Sequence, residues 1–255
     1  MATISVRTMD RPLLTPRSSP FRWLSLLSLL LAVLLAGCGQ RLAVVPDRNG
    51  EPLMLLGHDP VAYFTDGKAI RGNPDIVARY EGSSYYFVSE QHRAMFVQAP
   101  ARYVPQYGAF CASGAAYGVK LGSDPTEFRI VDGRLYIFGD VLGREYWLMD
   151  PKWHIEKADA LWPETGAYGH RYQSLKRFVF KVPWYKNGKE VHDEWQAAHP
   201  GVTINYDPGG VFTNLFVKYP GWRAREGYGQ PALGLVGVDA CPPACAGVES
   251  KGYGM

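Results

Sequence analysis

Cysteine is scarce in this chain, with four in 255 residues. Spread over positions 38, 111, 241 and 245, they do not make the dense framework of a small disulfide-stapled domain. Catalytic signatures are missing too. No H-E-x-x-H, G-x-S-x-G or phosphate-cradling glycine loop occurs, so zinc-protease, hydrolase and nucleotide-binding readings have no motif to rest on. No C-x-x-C-H is present, which excludes covalent haem attachment of that type. There is no internal repeat. A charge excess is also lacking over most of the length. The formal charge is +3, but residues 1–37 hold Arg7, Arg11, Arg17 and Arg22 against Asp10 alone. Without them 23 basic and 23 acidic residues remain, and nucleic-acid binding loses its electrostatic footprint.

What is present is aromatic and turn-rich: 16 Tyr, 7 Trp, 28 Gly and 19 Pro, with 47% hydrophobic and 20% charged residues. That mixture favours short strands and many turns over a helical bundle, within an α+β class. The length allows one large domain or two small ones.

Arg17 and Arg22 precede the apolar run Trp23–Ala36. A spanning helix needs roughly 20 apolar residues, and this run is shorter. A basic segment before a short apolar core is the pattern of a secretory signal, with an uncleaved anchor helix as the alternative. Leu35-Ala36-Gly37-Cys38 resembles the bacterial lipobox. The resemblance implies cleavage before Cys38 and acylation of its thiol. Gly39 follows where an Asp would mark inner-membrane retention, which points to the outer membrane. The expected location is therefore the cell envelope, on the periplasmic face of that membrane.

Beyond the leader (1–37), residues 38–52 read as a tether, because Pro46-Asp47-Arg48-Asn49-Gly50 is turn-rich and without periodicity. A compact segment is expected over 53–163. Ile76–Tyr80 and Tyr85–Val88 read as strands around a turn at Glu81–Ser84. Ser89 is placed to cap a helix over Glu90–Gln98. Phe128–Val131 and Arg134–Phe138 flank Asp132-Gly133, a type I′ hairpin signal. Helices are expected over Asp140–Met149 and Pro151–Leu161. Residues 164–255 read as a β-rich extension with an irregular tail: strands at Arg177–Val182, Val202–Tyr206 and Val211–Tyr219, and one short helix at Glu190–Ala198.

Several blocks in order resemble the YHS-domain family in its secreted form. They are Gly57-His58-Asp59-Pro60-Val61-Ala62-Tyr63-Phe64, Tyr85-Tyr86-Phe87, Ala101–Gly108, Cys111-Ala112, Ile130–Tyr136, and Lys157-Ala158-Asp159 with Trp162-Pro163. The resemblance covers 53–163 and implies a small α+β domain. Members fused to copper-transporting ATPases or oxygenases carry Phe-Cys-Ser-x-x-Cys, for which metal binding has been proposed. Here the first cysteine is Val88, which cannot ligate, and the second is His92, which can. His58 stands where relatives commonly have Tyr.

The candidate metal ligands, for copper or zinc, are Cys111, His92 and His58. Cys111 reads more readily as a small buried apolar residue than as a ligand, because one thiol and scattered imidazoles make no metal-ligand spacing. Cys241 and Cys245 are spaced like the C-x-x-x-C of copper-delivery proteins, but in an oxidising compartment an intraloop disulfide is the first reading and copper capture by the reduced pair the second. His192-Asp193-Glu194 and His199 fit an exposed helix, and the aromatics around Trp184, Tyr185 and Trp195 fit either core or a recognition surface. The function expected is binding: metal handling, or recruitment of an envelope protein partner without metal. A Cys111-based enzyme is the third reading.

Overall fold

In the computed structural model the described residues are Ser25, Ser28, 41–204 and the backbone of Leu235–Val236. The chain divides into two units, Met1–Gly37 and Cys38–Met255. Ser25 and Ser28 belong to the first, and the α+β fold that follows lies in the second. No helix among the described residues is long and apolar enough to cross a membrane.

The first sheet has four strands in the order β1-β2-β4-β3: β1 Val44–Pro46, β2 Pro52–Met54, β3 Asn73–Tyr80 and β4 Ser83–Phe87. β1 and β2 pair antiparallel, β2 and β4 parallel, and β3 and β4 antiparallel. The turn-rich stretch read as a tether is therefore a hairpin turn within the fold. Asp47 Oδ1 accepts from the backbone N–H of Asn49 (2.7 Å) and Glu51 (2.9 Å), and Gly50 takes φ +80°. Ala43, Val44 and Val45 are buried. The turn chemistry was visible in the sequence; the pairing of two such short strands across it was not.

Short helix α1 (Ala62–Thr65) follows β2, and α2 (Glu90–Gln98) follows β4. Ser89 Oγ accepts from His92 N at 3.1 Å, so α2 starts where its cap predicts. Then come α3 (Pro100–Tyr103), α4 (Ala112–Ala115), and the hairpin of β5 (Asp124–Val131) and β6 (Arg134–Phe138). Its turn residues Asp132 (φ +50°) and Gly133 (φ +70°) are both left-handed, as a type I′ turn requires.

β6 divides the interior. Successive strand residues point to opposite faces. Leu135 and Ile137 enter a core with Phe87, Phe96 and Tyr63, whereas Tyr136 and Phe138 enter a second with Trp147 and Trp195. All four residues are fully buried, each worth about 1.5–3 kcal/mol. α5 (Val141–Met149) and α6 (Pro151–Ala167) wall the second core. Asp140 caps α5 through Gly143 N (2.8 Å), and Asp150 caps α6 through Trp153 N (2.9 Å) with Pro151 at the first turn.

Beyond residue 163 the structure departs from the sequence reading in three ways. α6 runs through Pro163 to Ala167, so the expected boundary falls inside a helix. Val182, Val191, Trp195 and Ile204 share the core of Trp147, so this part is continuous with the body. Its described portion is mainly helical: α7 spans His170–Val179, where the strand Arg177–Val182 was expected to begin, and α8 spans Gly188–Ala198, over the one short helix expected at Glu190–Ala198. The apolar run Phe178-Val179-Phe180 mimics a strand, but Phe178 and Val179 end a helix that is tied down by polar contacts. β7 (Thr203–Ile204), within the expected strand Val202–Tyr206 whose last two residues lie outside the described residues, pairs with β8 (Leu235–Val236). The expected strand at Val211–Tyr219 lies outside the described residues.

Candidate functional site

Asp59 joins three elements. Its carboxylate is fully buried; Oδ1 accepts from Val61 N (2.8 Å) and Ala62 N (3.3 Å), capping the turn into α1. Oδ2 accepts from Val88 N (2.8 Å), at the end of β4, and from His92 Nδ1 (2.8 Å), on α2. With Nδ1 donating, His92 turns Nε2 outward, 3.5 Å from Thr65 Oγ1 and 3.9 Å from Asp66 Oδ2. A carboxylate behind an imidazole fixes its tautomer and ring orientation, the usual support of a histidine that ligates or takes a proton. Thr65 is not a nucleophile in this arrangement. Its hydroxyl lies 2.6 Å from Asp66 Oδ2 and 3.1 Å from Val61 O, closer to either than to His92. Asp59 was not singled out from the sequence, although Asp-Pro ahead of Val-Ala-Tyr-Phe is a helix-start signal.

His58 is buried next to Asp59, and its Nδ1 donates to Leu55 O (2.9 Å). Burial lowers its pKa and favours the neutral ring. This is a packed histidine in place of the Tyr the resemblance implies.

Cys111 sits in the second core. Its sulfur is 3.4 Å from the point where a Cβ on Gly143 would lie, and its Cβ is 3.7 Å from the same point on Gly139. Burial raises the thiol pKa to about 11 against weaker help from backbone N–H groups around Ser113, Gly114 and Gly139, so it is protonated at neutral pH. Among the described residues no three of His, Cys, Asp and Glu converge as a metal-ligand set, so Cys111, His92 and His58 do not form one. Cys38, Cys241 and Cys245 lie outside the described residues.

Lys120 is the residue that sequence reasoning missed. It is buried, and Nζ donates to Tyr168 O (2.6 Å), Arg41 O (2.9 Å) and Gly166 O (3.3 Å). The rings of Phe110 and Trp162 face it at 5.1 and 5.2 Å. Three ammonium donors meet three carbonyls, two of them at the C-terminal end of α6, where a cation is favourable. Burial, then the charge of Arg41, lowers its pKa to about 8. Its only signal in the sequence is a lone lysine between Val119 and Leu121.

The remaining candidates are structural. Trp195 is core, Trp184 Nε1 donates to Ala116 O (2.9 Å), and Tyr185 packs edge-on to Tyr117. His192 and Asp193 lie on α8, while His199 caps its end and stacks on Trp195.

No protein-family model matches the chain, and neither a curated protein nor a solved structure matches it.

Proposed function

We propose that this chain is a lipid-anchored protein of the bacterial envelope whose folded body, YHS-like over 53–163, binds a protein partner. The observation that carries the reading is Leu35-Ala36-Gly37-Cys38 at the end of the short apolar run. A leader ending at Gly37 leaves a complete unit behind it, because the chain divides between Gly37 and Cys38. Acyl chains on Cys38 hold the protein to the periplasmic face of the outer membrane. Each buried CH₂ contributes about 0.8 kcal/mol, so two or more chains anchor stably.

Binding without metal is favoured over the other readings. Cys111 is buried and protonated, a poor nucleophile and a poor ligand. One observation favours a weaker metal reading: His92, oriented by Asp59, faces outward beside Asp66 and offers copper or zinc two donors.

Mass spectrometry of the protein taken from native membranes tests the anchor. The expected product begins at Cys38 and carries the mass of a diacylglyceryl thioether. An intact leader, or an unmodified sulfur at position 38, overturns the proposal.

A further inference from the structure

α7 is built inside out. Its buried stripe, at i, i+3 and i+7, is His170, Gln173 and Arg177. Gln173 Nε2 donates to Gly118 O (2.8 Å). The Arg177 guanidinium lies over Gly118, where a Cβ would come within 2.6 Å of Nε. With polar groups inward, the apolar ones face out. Phe178 (54%), Val179 (62%) and Phe180 (68%) are exposed in succession, and the tilted rings of Tyr168 and Tyr172 lie 5.0 Å apart at the other end.

The surroundings are cationic. Residues 165–189 contain six Lys and Arg and no Asp or Glu, in a mature chain of zero net charge. Lys176 and Arg177 reach back to Glu164 on α6. Arg171 and Lys181 are exposed and form no ion pair among the described residues.

The chain leading back to Cys38 leaves the fold at the Tyr168 end of α7. Lys120 Nζ holds the carbonyls of Arg41 and Tyr168 at once. Arg41 is three residues from Cys38, a reach of at most about 11 Å.

The geometry points to α7 and its flanks as a second membrane contact, with Phe178, Val179 and Phe180 entering an anionic phospholipid surface and Arg171 and Lys181 meeting its phosphates. Exposed apolar side chains with cations on one short element are what an interfacial helix presents. The proposal rests on the lipid-anchored reading for its biological setting. One acyl signal plus a basic apolar patch holds a body flat against the bilayer, where a lipid alone leaves it free to swing.

The test uses residues 38–255 carrying Cys38→Ser, so no lipid contributes. Co-sedimentation is measured with vesicles of phosphatidylcholine alone and of phosphatidylcholine with phosphatidylglycerol. The expected result is retention on anionic vesicles, at least tenfold weaker for Phe178→Ser/Phe180→Ser and for Arg171→Glu/Lys181→Glu. Both pairs are exposed, so thermal melts are expected to match the parent. Absence of vesicle binding, equal binding to neutral vesicles, or binding untouched by both pairs overturns the proposal. So does a concentration-dependent dimer that the same substitutions abolish, which would give this face to a second copy. Acylation is read separately by mass, so either idea can fail alone.

Discussion

His154 donates Nδ1–H to Asp150 O at 2.8 Å and buries Nε2 with no partner among the described residues, packed against Tyr146, Trp147 and Trp153. Burial lowers its pKa to about 4. The unfolded chain takes up a proton near pH 6.5 and the folded one near 4. Stability from this group is complete above pH 6.5 and declines as the pH falls through that window, because the unfolded state binds the proton first. The loss is about 3 kcal/mol by pH 4. His58, lowered for the same reason, acts in the same direction. Urea unfolding of the wild type and of His154→Phe between pH 7 and 4 checks this. The variant is expected to show a clearly shallower decline, and parallel curves would refute the assignment.

At the scale of elements, turn and cap chemistry explains most of what could be read directly. Ser89, Asp140 and Asp150 each accept a backbone N–H one turn into the helix that follows. Asp132-Gly133 makes its hairpin because both residues reach positive φ. A Cβ on Gly133 would meet nothing within 4 Å, so Gly133→Ala changes backbone strain alone. It is expected to cost about 1 kcal/mol, read as a lower denaturation midpoint with an unchanged slope. A loss above 3 kcal/mol would mean that the turn does more than reverse the chain. α7 is the opposite case. Its run Arg-Phe-Val-Phe-Lys-Val has the residues of a strand, and local preference gives no reason for Gln173 and Arg177 to be the buried side. That choice depends on Gly118, about 55 residues away along the chain, whose carbonyl and bare Cα accept them.

For the whole molecule, the second core decides where a domain can end. Trp147 and Tyr146 pack with Val182, Val191, Trp195 and Ile204, on the far side of the expected boundary at 163. A protein ending at 163 loses those side chains and the last turn of α6, and exposes Trp147. Deleting even one ring of that size from a core costs about 3–5 kcal/mol, a large part of a typical domain's stability. Residues 38–163 are therefore expected to lack a cooperative thermal transition that residues 38–255 show by near-ultraviolet circular dichroism. A sharp, native-like melt for the shorter chain would contradict the continuous core.

The sequence by itself determined the α+β class, the cap of α2, the positions of α5 and α6 and the β5–β6 hairpin. Each of these rests on residues within a few positions of one another. Only the tertiary structure decided that Asp59 orients His92, that Cys111 is sealed in a core, that residues 43–45 belong to the fold, and that Lys120 gathers carbonyls from Arg41 and Tyr168. Apart from the local β1–β2 pairing, those facts join residues tens of positions apart, and hydrogen-bond partners and burial at that separation are set by how the elements pack.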